Sequence, residues 1–369
     1  VVAGARGLAP LSFSAPEVLE ASGMETKQRR LVWGGIATGL LHGLLTRWVF
    51  GLHHPDAATQ GSAYSVMTSA FVFGAPLTMG FLAVWIAERA GPVGWKTRVM
   101  LPWVSSLAGL GATLLLEWEG LICVVMLAPV MLLLSTIGGL LAIGVRRAMG
   151  RDGQVRCAAL VALLPFLAAP VERLRSQADE ILEVRNVIDI AAPPERVWQE
   201  IRSVPRIAEE EHSDSWLHRM GFPRPVEAVL QGEGVGSVRI AQFERGLVFV
   251  ERVTEWKPSE RLAFTIRADT ANIPAKTLDE HVKVGGPYFD VLDGVYEIEA
   301  GMVGTVRLHL ASRQRLGTRF NWYASLWSGR VMSELQTYIL RIVKRRAESS
   351  PQRLSNTGEE AATKVIRQC

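Results

Sequence analysis

The stretch from residue 31 to residue 171 constrains this chain before anything else does. It holds four apolar runs, at about 31 to 52, 66 to 87, 99 to 116 and 120 to 145, each near the ~20 residues that cross ~30 Å of hydrocarbon. A fifth run, Cys157 to Val171, would rise only ~21 Å as a helix and carries Pro165 and Pro170. The hydrophobic share of 49% is therefore concentrated in the first half, while residues 172 to 369 have the composition of an ordinary globular domain with a charged tail. The sequence predicts an all-α transmembrane helical module followed by a soluble α+β domain.

Loop charges give the orientation. Lys27, Arg29 and Arg30 precede the first run, Arg89, Lys96 and Arg98 join the second to the third, and Arg146, Arg147, Arg151 and Arg156 follow the fourth. The alternate loops carry no Lys or Arg, which places the N-terminus in the cytoplasm of a bacterial-type inner or plasma membrane. The expectation is that the fifth run crosses as a short span, leaving the following domain on the non-cytoplasmic side. A fifth run lying on the surface would instead leave that domain in the cytoplasm. The net charge of +4 is modest, and its basic clusters flank apolar runs or close the last helix around Arg341 to Arg346, so the expected partner is lipid and not nucleic acid.

His42, Arg47, Glu117 and Glu119 are ionisable groups in or near the spans, where each requires a partner or a route to water. As a polar site between helices they would suit a headgroup or a proton. As structural residues, the two glutamates form an outer turn, Arg47 reaches the interface and His42 bonds a neighbouring helix. Cys123, Cys157 and Cys369 have no metal or disulfide spacing, and neither metal nor cofactor is expected. Residues 1 to 30 are expected to be a disordered segment without signal-peptide character, with Met24 a plausible start, and residues 348 to 369 a disordered tail.

After a linker at 172 to 182, Val184 to Ile190 alternates as a half-buried strand, and Pro193-Pro194 ends it while pre-setting a helix whose face is Val197, Trp198 and Ile201. "PVEAVLQGEGVGSVRIAQF" reads as two strands about a glycine turn, "GLVFVERVTEWKP" as a third, and "RLAFTIRAD" as a fourth with Leu262, Phe264, Ile266 and Ala268 on one face. "GVYEIEA" and "GTVRLHLAS" make a final hairpin with Val306, Leu308 and Leu310 on one face. A long helix from about Thr318 to Arg346 follows, its stripe running through Phe320, Ala324, Trp327, Val331, Leu335, Tyr338 and Ile342. Such a helix laid across a curved antiparallel sheet leaves a cavity between them.

This order, with "VIDIAAPPERVWQEI" as the opening strand, Ala-Pro turn and Val-Trp helix start, "GEGVGSVR" as a hairpin and a long last helix, resembles the START-like superfamily, also called SRPBCC. The similarity is to its polyketide cyclase/dehydrase-like branch and covers residues 183 to 347. It implies a helix-grip fold around a pocket for an apolar or amphipathic ligand. The N-terminal membrane module departs from the common soluble form of that family.

"GEGVG" lacks the following helix that a dinucleotide fingerprint requires and reads as a turn. "EEEHSDSWLH", Glu209 to His218, has the residue types of a metal or proton site without a metal spacing, and reads as a solvated loop. "TLDEHVKVGGPYFDVLDG" interrupts the strands near one cavity mouth. There His281 with Asp279, Glu280 or Asp290 could form an acid/base pair and Tyr288 with Phe289 could cap a ligand, or the segment could form an edge strand. In a helix-grip arrangement Phe264, Ile266 and Leu308 from the strands and Trp327 and Val331 from the helix form the wall, with Arg319, Trp322 and Tyr323 at an entrance.

These features lead to the expectation of a membrane-anchored protein that binds, and passes on, a lipid or other hydrophobic small molecule. No covalent chemistry is needed for that role. Two alternatives are a cyclase or dehydratase using His281, and a transporter or assembly factor whose soluble domain is a sensor. The sequence assigns no oligomeric state.

Overall fold

The computed structural model describes residues 26–52, 64–175, 178–269, 283–302 and 304–349. The chain divides into two compact units, one of residues 1–52, 70–115 and 127–172 and one of residues 53–69, 116–126 and 173–369.

In the first unit, α1 (Thr26–Gly51) is followed by a π-helical turn, Ala70–Gly74, that runs into α2 (Ala75–Ala87), then by α3 (Trp95–Leu115), α4 (Leu121–Ala148) and α5 (Arg151–Arg173). Four segments are long and apolar enough to cross a membrane: Ala70–Ala90, Trp95–Leu115, Leu121–Ala148 and Arg151–Arg173. Two expectations change here. The fifth run is a full 23-residue helix, because its prolines are carried inside it, Pro165 and Pro170 alike. By contrast α1, although 26 residues long, is not among the four, since it contains Lys27, Arg29, Arg30, His42 and Arg47. Residues 26–30, expected to be disordered, form its first turn.

Nearly every residue of α2 is buried, as suits a helix apolar all round. Glycines permit the close approach: a Cβ on Gly80 would lie 1.8 Å from the Ser135 carbonyl oxygen, and one on Gly138 would lie 1.9 Å from that of Leu77. At one end Glu88 is buried, with its carboxylate 2.7 Å from Arg98 Nε and its carbonyl accepting from Arg146 Nη2 at 2.8 Å. His42 Nε2 lies 3.0 Å from Thr78 Oγ1, the interhelical bond expected of a structural histidine. Arg47 is buried, whereas Glu117 is exposed in a turn with φ of 56°.

The second unit carries a seven-stranded antiparallel sheet in the order β1-β7-β6-β5-β4-β3-β2. Its strands are β1 (Glu180–Ile190), β2 (Pro225–Gln231), β3 (Val238–Phe243), β4 (Val248–Lys257), β5 (Arg261–Asp269), β6 (Phe289–Ala300) and β7 (Val306–Leu316). Between β1 and β2 lie two short helices, α6 (Pro194–Arg202) and α7 (Trp216–Arg219), and the last element is α8 (Asn321–Glu348). This is the expected α+β helix-grip architecture. Pro193 caps α6 in an extended conformation and Pro194 occupies its first turn, while Val197, Trp198 and Ile201 are buried. The β2–β3 turn contains Gly232, Gly234 and Gly236 at φ of 85°, 88° and 91°, a left-handed run that side chains resist.

Register shifts at Pro225/Glu227, Val253/Glu255 and Val291/Asp293 bend β2, β4 and β6, and such bulges curve a sheet. Across the concave side lies α8, seated on β1 and β7. Its rotation is fixed by Gln336, whose Nε2 donates to the Val184 carbonyl and to Ser312 Oγ, both at 3.0 Å, while Asn186 Nδ2 donates to its Oε1 at 2.7 Å. Thr318 stands ahead of the helix and is not its cap: its N–H and hydroxyl both donate to Asn321 Oδ1 at 2.9 Å. The final strands are longer than the sequence indicated. Phe289, expected in an interrupting segment, begins the interior strand β6.

Candidate functional site

Sheet curvature leaves a cavity under α8 that offers about 110 Å³ to the centres of water-sized spheres. Alternation builds its floor: Ala241 and Phe243 of β3, Phe249 of β4, Phe264 and Ile266 of β5 and Leu310 of β7 all point inward. The β6 bulge brings Val291, Gly294 and Tyr296 onto the same face. From α8 come Met332, Leu335, Gln336, Ile339, Ile342 and Val343, two adjacent ridges of one helix face.

A strap, residues 203 to 224, closes one side through Val204 and Ile207. It is pinned to the end of α8 by Arg346, whose Nε donates to Glu211 Oε1 at 2.5 Å and whose Nη2 donates to Oε2 at 2.8 Å. Arg346 also donates to the Pro205 and Arg206 carbonyls at 3.0 and 3.1 Å. The Arg346 hydrogen bond holds the Glu211 carboxyl below the usual carboxylate range.

One stretch of wall is polar. Arg239 of β3 and Glu251 of β4 are cross-strand partners, 4% and 6% exposed, and Arg239 Nη1 donates to Glu251 Oε2. The guanidinium carbon lies 5.7 Å from the centre of the Phe264 ring. Burial pushes the Glu251 carboxyl up while the neighbouring guanidinium pulls it back. An arginine does not give up its proton, so a guanidinium cation stands in direct contact with the Glu251 carboxyl, the geometry of an ion pair. Burial also pushes the hydroxyl of Tyr296, 3% exposed, up to about 12, against the pull of Arg239. Arg239 Nε is buried and has no hydrogen-bond partner among the described residues.

Of the residues that the sequence singled out, Phe264 and Ile266 line this cavity. Leu308 is wholly buried in the adjoining core of Ile190, Trp198 and Leu340. Trp327 and Val331, half-buried on α8, and Tyr323 in its first turn are not among the lining residues. Phe289 packs beside Val284 and Val291, and the carbonyl of half-buried Tyr288 accepts from the Gly317 N–H at 2.9 Å. Asp290 accepts from its neighbour Val291 N–H at 2.8 Å, and burial raises its carboxyl. His281, with Asp279 and Glu280, lies outside the described residues.

The histidines of "EEEHSDSWLH" serve packing: His212 Nδ1 is 2.6 Å from the Tyr338 hydroxyl, and His218 Nδ1 donates to the Phe222 carbonyl at 3.0 Å. Among the described residues no group of three or more His, Cys, Asp or Glu side chains could hold a metal ion. Sequence reasoning missed Arg239 and Glu251. The available signal was their phase: Arg239 alternates with Ala241 and Phe243, and Glu251 with Phe249 and Val253, so both sit on an apolar face.

No family model and no curated protein matches the chain. Solved structures similar to part of it include a Chromobacterium violaceum protein, 17% identical, covering 46% of this chain and 98% of that one with a TM-score of 0.28. Others are truncated norcoclaurine synthase from Thalictrum flavum, 8% identical over 48% of this chain and 99% of that one, TM-score 0.29, and a START superfamily protein from Mycobacterium smegmatis, 10% identical over 45% and 97%, TM-score 0.30.

Proposed function

We propose that this chain binds a small hydrophobic ligand in the space between its curved sheet and α8, and that its N-terminal helices tether that site to a membrane. The observation that carries the reading is the cavity itself, about 110 Å³ with a wall that is mostly apolar. At roughly 10–15 Å³ of such space per water-sized sphere, it has room for a guest of about seven to eleven water-sized groups. That size suits a single short chain or a small ring system and not a two-chain phospholipid. Each methylene moved from water into such a space contributes ~0.8 kcal/mol.

The tether supports capture and hand-over, because holding the site near the bilayer raises its encounter rate with molecules dissolved there. At 1.5 Å per residue, α5 is ~35 Å long, enough to cross. The 26-residue α1 is less apolar than the four spanning segments but long enough to span; counted as a fifth crossing with its basic start cytoplasmic, it puts the ligand-binding domain on the non-cytoplasmic side.

Native mass spectrometry of the intact chain released from membranes tests the binding reading. A discrete small adduct, lost on harsher activation, is expected, and a ligand-free chain from every preparation contradicts it. Accessibility of a C-terminal tag to an impermeant reagent in intact cells tests the orientation.

Glu251 favours a second reading, since an acid/base enzyme needs a titratable group with a raised carboxyl pKa in its cavity. Its ion pair with Arg239 occupies the carboxylate, which places binding ahead of proton transfer.

A further inference from the structure

A purely hydrophobic guest leaves the Arg239–Glu251 pair without a purpose. Withdrawing charges from water costs several kcal/mol per ion even when they are paired, and apolar side chains of equal volume would serve a hydrocarbon as well or better. Nor is the pair a closed unit. Arg239 Nη1 is taken by Glu251, but the N–H at Nε, in a residue 4% exposed, has no hydrogen-bond partner among the described residues. An orphaned buried donor costs about 1–3 kcal/mol, a penalty that a ligand atom could remove.

Arg239 and Glu251 both line the cavity, and so does Tyr296 beside them. Around them the wall is mostly apolar, with Ala241, Phe249, Ile266, Leu310 and Met332, and its other polar residues are Glu227, Ser312 and Gln336, the last two bonded to each other. We propose that Arg239, flanked by Glu251 and Tyr296, is the head-recognition subsite, and that it takes the single uncharged oxygen, hydroxyl or carbonyl, of an otherwise apolar molecule. This rests on the reading that the cavity binds a hydrophobic ligand, and it adds which hydrophobic ligand.

Charge balance decides the kind of head. The pair is already neutral, so a ligand carboxylate would set a second negative charge beside Glu251 where the low dielectric magnifies repulsion. A hydrocarbon would leave the Nε–H unpaired, while an alcohol or ketone oxygen accepts from it. The subsite thus discriminates by what the alternatives leave unsatisfied, which is how sites built to bond an oxygen reject analogues lacking one.

Photolabelling of the full chain in lipid nanodiscs tests this, with diazirine-bearing C8 alcohol and C8 hydrocarbon probes, and 1-octanol, 2-octanone, nonane and octanoate as competitors. The yield is read by mass spectrometry on peptides containing Ala241, Phe264 and Met332, in the natural chain and in Arg239→Met/Glu251→Leu. Reading each probe as the ratio between the two proteins cancels its partition into lipid. Alcohol labelling is expected to fall about tenfold or more in the double variant, with hydrocarbon labelling retained, as loss of a hydrogen bond to a charged group implies. 1-Octanol and 2-octanone should displace the alcohol probe better than nonane or octanoate.

Equal alcohol and hydrocarbon ratios in a chain that is labelled at those peptides overturn the subsite while leaving the cavity reading intact. Octanoate as the strongest competitor overturns the uncharged head. Absence of labelling at the lining peptides by either probe in the natural chain overturns the cavity reading itself. Tyr296→Phe, which keeps the ion pair, is a milder second variant: it should weaken the alcohol probe and leave the hydrocarbon probe unchanged, and an equal effect on both counts against the subsite.

Discussion

Arg239 and Glu251 face each other across the β3–β4 hairpin, buried together on the wall of a cavity whose other surfaces are largely apolar. Their energetic relationship is lopsided. Removing one leaves a buried charge alone, whereas removing both restores a continuous apolar wall. Arg239→Met should therefore destabilise the chain by about 3–5 kcal/mol, while Arg239→Met/Glu251→Leu should be near neutral or stabilising. Chemical denaturation of the three proteins checks this; a double variant as unstable as the single would show that the pair contributes net stability.

The strap across the cavity depends on Arg346. Glu211, one of its partners, has a folded-state pKa held below the ordinary carboxylate value by that hydrogen bond, so folding favours the ionised form. Its contribution is full above the ordinary carboxylate range and fades as pH falls through the lowered folded value. Arg346→Met should raise hydrogen exchange across residues 205 to 212 at neutral pH. Acidification of the natural protein should do the same, and the variant should lose that part of its pH dependence. Exchange unaffected by either change would contradict the pinning.

Gln336 is 2% exposed and bonded to β1 and β7 through Val184, Asn186 and Ser312. Gln336→Leu fits the volume but orphans groups on both strands, so a loss of about 1–3 kcal/mol is expected in urea denaturation. A neutral result would mean that apolar packing alone fixes the rotation of α8.

Two glycines of α4 should behave oppositely. A side chain on Gly138 would run into the Leu77 carbonyl, whereas a Cβ on Gly144 meets nothing within 4 Å. Gly138→Leu should collapse the melting temperature or prevent recovery of monodisperse protein from detergent, and Gly144→Leu should do neither. Similar behaviour of the two would place the helix contact elsewhere.

Much of the sheet was legible because alternation gives the facing of a strand directly. Phe264 and Ile266 on β5 lie on the predicted cavity face, and Leu308 and Leu310 on β7 are buried. Strand β3 was harder, since Val238 and Ile240 are apolar on one face and Ala241 and Phe243 on the other, so its phase follows only from pairing with β4. That ambiguity hid Arg239.

Of the expected helix stripe, Leu335 and Ile342 line the cavity, but Trp327 and Val331 do not, and Met332, Gln336 and Ile339, about one residue or 100° around the helix, line it as well. Buried Gln336 is the reason. A polar residue on the covered face interrupts an apolar pattern, and only the strands beneath reveal that it is satisfied there. In the helical half, Pro165 and Pro170 read as breakers of a short run, but α5 carries both within 23 residues.

The most direct test compares the natural chain with Ala241→Leu, which fills the cavity from β3 without touching its polar wall. Both proteins are purified identically, and the small molecules they retain are extracted and quantified per mole of protein. A near-stoichiometric apolar compound with one uncharged oxygen is expected in the natural chain, and its loss by about tenfold or more in the variant, since three added carbon atoms occupy the space of part of the guest. Equal retention by both proteins, or none by either, would contradict the binding reading.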